Sequence, residues 1–240
     1  MIPKIIHYCW FGKQPKNQQI LDNINKWHDI YPDYRIIEWN EENFDINKYE
    51  FTKQAYFAKK YAFVSDVARL HALIEYGGFY FDTDIIACKP FDDMILNSKA
   101  VLGFEQEINI STSFMACERS HPLFCKFLDT YNNKSFFNMK SCLENKSFFE
   151  MTPNTKYLKN LLVEAGLNPN NTRQTIGDIE IYPQIYFSAK GGDHGVIFAN
   201  EDTYVIHNFS SSWKITSPSY TKKIIIKLSE LITVLKYYIS

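Results

Sequence analysis

Two carboxylates one residue apart, Asp82 and Asp84, directly follow the apolar run 79–81. Mg²⁺ and Mn²⁺ prefer such oxygen ligands and usually share their coordination shell with substrate phosphates. Open α/β sheets bind their ligands at strand ends. Residues two apart on a strand point to one face, so we expect both side chains on the same face of a strand end. For the triplet Asp82-Thr83-Asp84 taken by itself, a solvated turn is the alternative interpretation.

A second pair of charged residues, Asp66 and Arg69, lies shortly upstream. The two are three residues apart on a predicted helix, so they share one helix face. In isolation they predict an intrahelical ion pair. Close to the acidic triplet, the arginine can instead contact phosphate or sugar oxygens, and the aspartate can accept from ribose hydroxyls. Gly77 and Gly78 are expected to end this helix and reverse the chain into the next strand.

Two further segments combine aromatic and polar residues at predicted strand ends. Trp10 ends the first strand, where it can be a core residue or can stack on a nucleobase. His207 and Asn208 end a late strand and offer metal ligands. The serine run 210–212 that follows can reach phosphate oxygens through its hydroxyls and amides. A purely structural role is the alternative for each segment.

The elements that must position these residues follow from hydrophobic spacing and turn residues. Strand, helix and strand at the spacing of the first forty residues favour an α/β fold with a mostly parallel sheet. Ser65 is expected to cap the helix that carries Asp66 and Arg69. The predicted strands are 4–10, 34–39, 79–81, 100–104, 113–117, 179–182 and 204–207, and the main predicted helices are 18–28, 66–76 and 157–165.

Composition predicts a globular chain without a nucleic-acid partner. Its 240 residues include 26 basic and 27 acidic ones, 22% are charged and 45% are hydrophobic. The chain has no basic excess of the kind that nucleic-acid binding needs. The five cysteines are odd in number and include no Cys-x-x-Cys pair, which indicates neither a disulfide framework nor a zinc site. With no apolar leader at residues 1–7, we expect a cytoplasmic protein.

The last stretch, residues 222–239, has the pattern of an amphipathic helix. Ile224, Leu228, Leu231 and Leu235 form one apolar stripe, and lysines occupy much of the remaining surface. The stripe predicts packing on the chain's own domain, attachment to a membrane surface or contact with a partner helix. We therefore divide the chain into a main domain of residues 1–218 and a terminal helical segment of residues 219–240.

The candidate segments occur together and in one order along the chain. Their joint pattern resembles the DXD-containing glycosyltransferases of family 32, which include yeast mannosyltransferases and bacterial capsule and lipopolysaccharide sugar transferases. It resembles the glucosylating domain of large clostridial toxins more distantly. The resemblance extends over residues 2–213 and is clearest over 62–84. It rests on His7-x-x-Trp10-Phe11-Gly12, Ala62-Phe63-x-Ser65-Asp66-x-x-Arg69, Gly77-Gly78-x-Tyr80-x-Asp82-x-Asp84, His207 and Ser212-Trp213.

This resemblance implies a fold, a cofactor and a reaction. The fold is the GT-A type, an α/β nucleotide-sugar transferase fold with a mixed, mostly parallel sheet flanked by helices. The cofactor is Mn²⁺ or Mg²⁺. The reaction is a retaining transfer of a hexose from a nucleotide sugar to a glycan or lipid-linked glycan acceptor. A uridine nucleotide is favoured over a guanosine one. The basic terminal helix would suit synthesis of bacterial surface polysaccharide at the inner face of the plasma membrane.

The resemblance also implies residue roles. Asp84 would bind the metal, with His207 or Asn208 completing its shell. Asp82 would bind the donor ribose and sugar, and Asp82, Asp84 and Arg69 would form the catalytic group. The donor-binding residues would be Trp10, Asp66, Arg69, Tyr80, Asp82, Ser211 and Trp213. The chain departs from the family at 150–153, where relatives often carry an Asn-Thr-Gly-Pro-like stretch, so acceptor choice is the least transferable property.

Two other functions fit parts of the pattern. Haloacid-dehalogenase-type phosphohydrolases also carry Asp-x-Asp after an apolar strand, but on their first strand, whereas here the pair lies a third of the way along the chain. Phosphate release from simple phosphoesters would favour that function. A nucleotide-sugar binding protein without transfer activity is the second alternative. Slow hydrolysis of the donor in the presence of Mn²⁺ would argue against it.

Overall fold

The amino-terminal segment forms the parallel unit that its spacing predicts. The computed structural model describes residues 1–106, 108–138, 147–192, 194–210 and 220–239, without the side chains of 220 and 221. Strand β1 (Ile5–Cys9), helix α1 (Gln18–Ile30) and strand β2 (Arg35–Trp39) follow one another. β1 and β2 pair in parallel. Asn17 caps α1 by accepting a hydrogen bond from the amide of Ile20.

The helix that carries the charged pair starts earlier than predicted. A short 3₁₀ helix (Ile46–Lys48) and helix α2 (Glu50–Phe57) precede helix α3 (Tyr61–Tyr76). The prediction that Ser65 caps α3 is wrong, because Ser65 lies one turn inside it and donates its hydroxyl to the Tyr61 carbonyl at 3.1 Å. Phe63 and Val64 are buried in the extra turn. Their burial outweighs the local preference of serine for a cap.

The predicted glycine turn between α3 and the next strand is confirmed. α3 ends at Gly77, whose φ is +65°, and strand β3 (Gly78–Phe81) begins at once. A Cβ atom at Gly78 would lie 2.5 Å from the carbonyl oxygen of Ile5. Because β3 pairs in parallel with β1, this close approach requires glycine.

The remaining elements follow in chain order. Their bounds are β4 (Ile85–Ala87), α4 (Asp93–Leu96), β5 (Ala100–Glu105), β6 (Asn109–Ile110), β7 (Phe114–Cys117), α5 (Pro122–Asp129), α6 (Asn154–Glu164), β8 (Gln174–Ile176), β9 (Ile179–Tyr182), α7 (Gln184–Phe187), β10 (Val205–His207) and α8 (Tyr220–Ile239).

The strands form a mixed sheet. Its strand order is β2-β1-β3-β7-β5-β9-β8, with β6 on β5, while β4 and β10 form a separate antiparallel pair. Strands β1, β2, β3, β5 and β9 run in one direction and β6, β7 and β8 in the other. The predicted α/β class with a mixed, mostly parallel sheet is confirmed.

Two apolar clusters cover the two faces of the sheet. Alternation along β3 sends Tyr80 into the cluster that contains the buried face of α3, and sends Phe79 and Phe81 into a second, aromatic cluster. Stacked rings fill the second cluster, with centroids 4.5 Å apart for Phe79 and Phe91. Much of the chain's aromatic content therefore lies in the core.

Helix α8 packs against the domain along one side. Val234 is buried, and the Tyr237 ring contacts the rings of Phe57 and Phe137. The Tyr237 hydroxyl donates to Glu50 Oε1 at 2.8 Å. Among the described residues, no helix is long and apolar enough to cross a membrane. The predicted boundary between residues 218 and 219 lies in a stretch outside the described residues and stays a prediction.

One buried histidine links three elements of the core. His7 on β1 is fully buried. Its Nδ1 accepts from the Trp39 indole at 3.1 Å, and its Nε2 lies 2.9 Å from the Gly77 carbonyl. These contacts fix a neutral ring with its proton on Nε2, which donates to Gly77. Burial, opposed by the Gly77 contact, lowers the pKa of His7 to about 4.

This pKa predicts a loss of stability in acid. Between pH 6.5 and about 4 the unfolded chain binds a proton at His7 that the folded chain excludes. The free energy that His7 contributes to folding should therefore fall by about 2–3 kcal/mol as the pH drops through this window. Denaturant unfolding of wild type and His7→Gln across this pH window measures the effect. The difference between their free energies of unfolding should narrow as the pH falls. His28→Gln, at an exposed position on α1, is the control, and a difference that stays constant with pH would contradict the prediction.

Candidate active site

The acidic triplet forms the turn between β3 and β4. β3 ends at Phe81, and the amide of Ile85 donates to the carbonyl of Asp82 at 3.0 Å. The expectation that Asp82 and Asp84 share the face of a strand is therefore wrong. The chain turns because β4 leaves the main sheet to pair with β10. The turn, rather than strand alternation, sets the relation of the two carboxylates.

Helix α1 holds this turn from one side. The Asn23 side-chain amide donates to the carbonyl of Thr83 at 2.9 Å. One helical turn further on, the Trp27 indole donates to the carbonyl of Ile85 at 3.0 Å. Sequence analysis missed both contacts. The available signal was the polar Asn23, four residues before Trp27 and therefore on the same helix face.

The two aspartates meet His207 from the end of β10. Ligand atoms of Asp82, Asp84 and His207 all lie within 4.8 Å of one another. The antiparallel register puts His207 opposite Ile85, next to Asp84 in the chain. His207 Nε2 lies 3.6 Å from Asp84 Oδ2. The structure thus brings His207 next to the two aspartates of the acidic turn, although it follows them by more than a hundred residues in sequence.

A third carboxylate, Glu105 at the end of β5, lies behind the histidine. Its Oε2 is 3.5 Å from His207 Nδ1, a buried atom without a well-aligned hydrogen bond among the described residues. Burial alone would lower the pKa of His207, but Glu105, Asp84 and Asp82 outweigh it and raise that pKa. Burial raises the pKa of Asp84, while His207 opposes this shift. Three carboxylates around one imidazole carry excess negative charge, which a divalent cation would neutralise.

The segment after His207 wraps around Asp84. The amide of Asn208 donates to the Asp84 carbonyl at 3.2 Å, and the amide of Ser210 donates to Asp84 Oδ2 at 2.7 Å. The Asn208 side-chain oxygen accepts from Lys190 Nζ at 2.9 Å. A metal-binding role for Asn208 stays a prediction. Ser211 and Trp213 lie outside the described residues, so their predicted roles stay predictions as well.

Arg69 lies between Asp66 and Asp82. Its NH2 nitrogen is 3.2 Å from Asp66 Oδ1 and 3.3 Å from Asp82 Oδ1. Its NH1 donates to the Thr112 carbonyl at 2.8 Å, and its Nε donates to the Ser65 carbonyl at 3.1 Å. Arg69 as a whole residue is only 5% exposed. All three of its nitrogens are thus engaged inside the protein, so the arginine orients the two carboxylates from within.

Tyr80 adds a second constraint on Asp82. Its hydroxyl donates to Asp82 Oδ1 at 2.8 Å, and the Arg69 guanidinium lies 4.6 Å above its ring centroid. Oδ1 of Asp82 therefore contacts both the Tyr80 hydroxyl and the Arg69 guanidinium. Among the described residues, this leaves Oδ2 of Asp82 for a ligand. Direct donor contacts of Tyr80 and Arg69 stay predictions.

Asp66 is fixed from the first turn of helix α6. The Asn154 side chain donates to Asp66 Oδ1 at 2.7 Å and accepts from the Thr112 hydroxyl at 2.8 Å. Burial raises the pKa of Asp66 to about 7, and the guanidinium of Arg69 opposes this shift. Sequence analysis missed Asn154. The only signal was a polar residue next to Pro153 at a helix start.

Trp10 lies at the sheet edge where the acidic turn is located. β1 and β3 pair in parallel with His7 opposite Tyr80, so Trp10 follows the end of β1 as Asp82 follows the end of β3. The indole is partly exposed and donates to the Gln14 carbonyl at 2.6 Å. Its predicted stacking on a nucleobase is untested and stays a prediction.

Comparison with known proteins agrees with the motifs. Residues 17–102, which contain the acidic turn and the Asp66–Arg69 pair, match the family model described as the glycosyltransferase sugar-binding region containing the DXD motif. This chain contains a DXD glycosyltransferase region. The predicted resemblance is confirmed over these residues.

Two fungal proteins and one solved structure are among the proteins similar to this chain. The chain is 27% identical to inositol phosphoceramide mannosyltransferase 1 of Schizosaccharomyces pombe, over 57% of this chain and 44% of that protein. It is 31% identical to the mannosyl phosphorylinositol ceramide synthase of Saccharomyces cerevisiae, over 53% of this chain and 34% of that protein. It therefore spans less than half the length of either relative. The PaToxG glycosyltransferase structure aligns with a TM-score of 0.49 and 18% identity, over 68% of this chain and 69% of that one.

The Arg69 contacts predict a large loss of stability in Arg69→Met. The substitution removes the cation between Asp66 and Asp82 and leaves two carboxylates in a largely buried setting, which should cost about 3–5 kcal/mol. The loss should be smaller below pH 7, where Asp66 can take up a proton. Denaturant unfolding at two pH values measures both effects. Arg119→Met, which removes an exposed arginine 3.9 Å from Glu75, should change little, and equal losses in the two variants would refute the structural role of Arg69.

Proposed function

We propose that this chain is a metal-dependent glycosyltransferase that moves a hexose from a nucleotide sugar to a glycan acceptor. The observation that carries the proposal is the cluster of Asp82, Asp84 and His207, whose ligand atoms lie within 4.8 Å of one another. Both aspartates belong to the DXD region. Nucleotide sugars present a diphosphate, which is the partner that a carboxylate-bound divalent ion usually takes.

The ligand atoms of Asp82, Asp84 and His207 support a metal site and favour Mn²⁺. Two carboxylates suit Mg²⁺ and Mn²⁺ alike, whereas Mg²⁺ prefers an all-oxygen shell. The imidazole of His207 adds a nitrogen ligand and so favours the transition ion. In this proposal Asp84 and His207 hold the ion, and Asp82, oriented by Arg69 and Tyr80, contacts the donor sugar and ribose.

The charge that develops on the leaving nucleoside diphosphate explains what the metal ion and Arg69 contribute. As the glycosidic bond breaks, negative charge builds on the nucleoside diphosphate, and a divalent ion when bound stabilises that charge. Arg69 holds Asp82 in place through its contact with Oδ1. We favour retention by attack on the face that the diphosphate leaves, because the proposal assigns Asp84 to the metal and Asp82 to donor binding and identifies no carboxylate as a nucleophile.

The donor, acceptor and location are further parts of the proposal. The sequence favours a uridine nucleotide, but the names of both fungal relatives refer to a mannosyl group, so a mannosyl donor belongs in the test. We propose a bacterial surface glycan or lipid-linked glycan as the acceptor. Cys9, Cys88, Cys117 and Cys125 are free thiols, which supports a reducing, cytoplasmic location.

The metal site predicts that donor binding needs both Mn²⁺ and Asp84. In a thermal-shift screen of UDP-glucose, UDP-galactose and GDP-mannose, the best donor at about a hundred times its Kd should raise Tm by roughly 5–10 °C, and only with Mn²⁺. Asp84→Asn should lose this shift and lower donor turnover by about a hundredfold or more. Asp29→Asn, at an exposed position on α1, should behave as wild type.

Turnover assays with the same donors separate the competing functions. Release of the nucleoside diphosphate with a sugar acceptor or water supports the transferase. Donor binding without any release would show a binding protein, and phosphate release from simple phosphoesters would show a phosphohydrolase. An Asp84→Asn protein that keeps full Mn²⁺-dependent turnover would refute the assigned metal site.

Glu105 should strengthen metal binding by orienting His207. A carboxylate that contacts the second nitrogen of a metal-binding imidazole fixes the ring and increases its basicity, so its loss commonly weakens metal binding 10–100-fold. We expect Glu105→Gln to weaken Mn²⁺ binding by about this factor, measured by titration calorimetry of the donor-free protein. Glu42→Gln, at an exposed site, is the control. Unchanged Mn²⁺ affinity in Glu105→Gln would show that Glu105 does not orient His207.

A further inference from the structure

One side of α8 faces the domain. Glu230 accepts hydrogen bonds from the Ser147 hydroxyl at 3.0 Å and the Phe148 amide at 2.9 Å. Val234 is 7% exposed, and Tyr237 contacts α2. Positions 230, 234 and 237 follow the three- and four-residue spacing of one helix face. This face therefore meets the body of the protein, and the opposite face is directed away from it.

The opposite face of α8 is apolar. Seven of the seventeen exposed large apolar side chains among the described residues lie on this one helix, with exposures from 46% to 84%. Single exposed apolar residues are normal, but a continuous stripe of them indicates a binding surface. We call it the α8 stripe, and it consists of Ile224, Ile225, Leu228, Ile232, Leu235, Tyr238 and Ile239.

Lysines border the α8 stripe on both sides. At 100° per residue, Lys227 falls on one border and Lys236 on the other. Lys223 is exposed near the start of the helix. Glu230, the acidic residue of α8, faces the domain. The outward side of the described helix thus combines apolar side chains with positive charge and presents no carboxylate.

We propose that the α8 stripe docks on the surface of an anionic lipid bilayer. An amphipathic helix of this kind lies in the interface plane, with its apolar face in the boundary between headgroups and acyl chains. Lysines on its borders then meet anionic headgroups, each contributing electrostatic attraction. The side of α8 that binds the domain stays outside the bilayer, so the helix lies along the surface and does not cross it.

Charge disfavours a second copy of the chain as the occupant. If two α8 helices packed through their stripes, Lys227 and Lys236 of both copies would lie at the edges of the contact. The outward side of the described helix has no carboxylate to pair with them, and facing like charges oppose association. An anionic bilayer supplies the missing negative charge over the whole length of the helix.

Vesicle co-sedimentation of the 240-residue chain tests the proposal. Wild type should bind vesicles of phosphatidylcholine and phosphatidylserine more strongly than vesicles of phosphatidylcholine alone, and added salt should weaken the binding. The triple variant Leu228→Gln, Ile232→Gln, Leu235→Gln should lose binding. Lys227→Gln with Lys236→Gln should weaken binding by about tenfold or more and reduce its dependence on phosphatidylserine.

A matched control removes an exposed apolar side chain elsewhere. Val163 on α6 is 46% exposed, and Val163→Gln should bind vesicles as wild type does. All these variants should keep the wild-type Tm, since the altered side chains are exposed. Equal vesicle binding by wild type and the triple variant, or no binding of wild type to either vesicle, would overturn the proposal. So would a wild-type dimer that the triple variant converts to a monomer in light scattering. The readout is independent of sugar transfer, so its failure and a failure of the proposed activity are distinguishable.

Discussion

The buried guanidinium of Arg69 is the interaction on which the candidate site depends. A charged residue that is only 5% exposed is tolerated only when its charge is fully paired, and here Asp66, Asp82 and two carbonyls provide the partners. These partners come from three places in the fold, because Ser65 and Asp66 both lie on α3. Asp66 lies one turn away on α3, Asp82 follows β3, and the Thr112 carbonyl precedes β7. The arginine therefore fixes the acidic turn relative to the helix and sheet that flank it.

Local spacing was enough to predict the parts of the site that lie close together in sequence. The Asp66–Arg69 pair followed from helical periodicity, and the Gly77–Gly78 reversal followed from the steric freedom of glycine. The α/β class followed from alternating strands and helices. These features depend on interactions between residues a few positions apart, for which sequence pattern is informative.

The errors and omissions arose where tertiary contacts outweigh local preference. Ser65 has the chemistry of a helix cap, but burial of the preceding turn extends the helix past it. Asp82 and Asp84 were expected to share one face at a strand end through strand alternation, but β4 pairs with β10 and the chain turns instead. Asn154 and Glu105 reach the site from distant parts of the chain, and no local pattern distinguishes them from other polar residues.

The charges of the two halves of the site explain why a cation is expected at one of them. In the inner half, Arg69 faces Asp66 and Asp82, and burial raises the pKa of Asp66 to about 7, so partial protonation of Asp66 brings this half close to neutrality. In the outer half, Asp84 and Glu105 face a single imidazole, and Asp82 adds its field from the same turn. Even with His207 protonated, that half keeps net negative charge in a partly buried setting, which is costly without a counter-ion. A divalent ion bound there would remove this cost and would present positive charge to an incoming diphosphate, while the inner half, already balanced, orients Asp82.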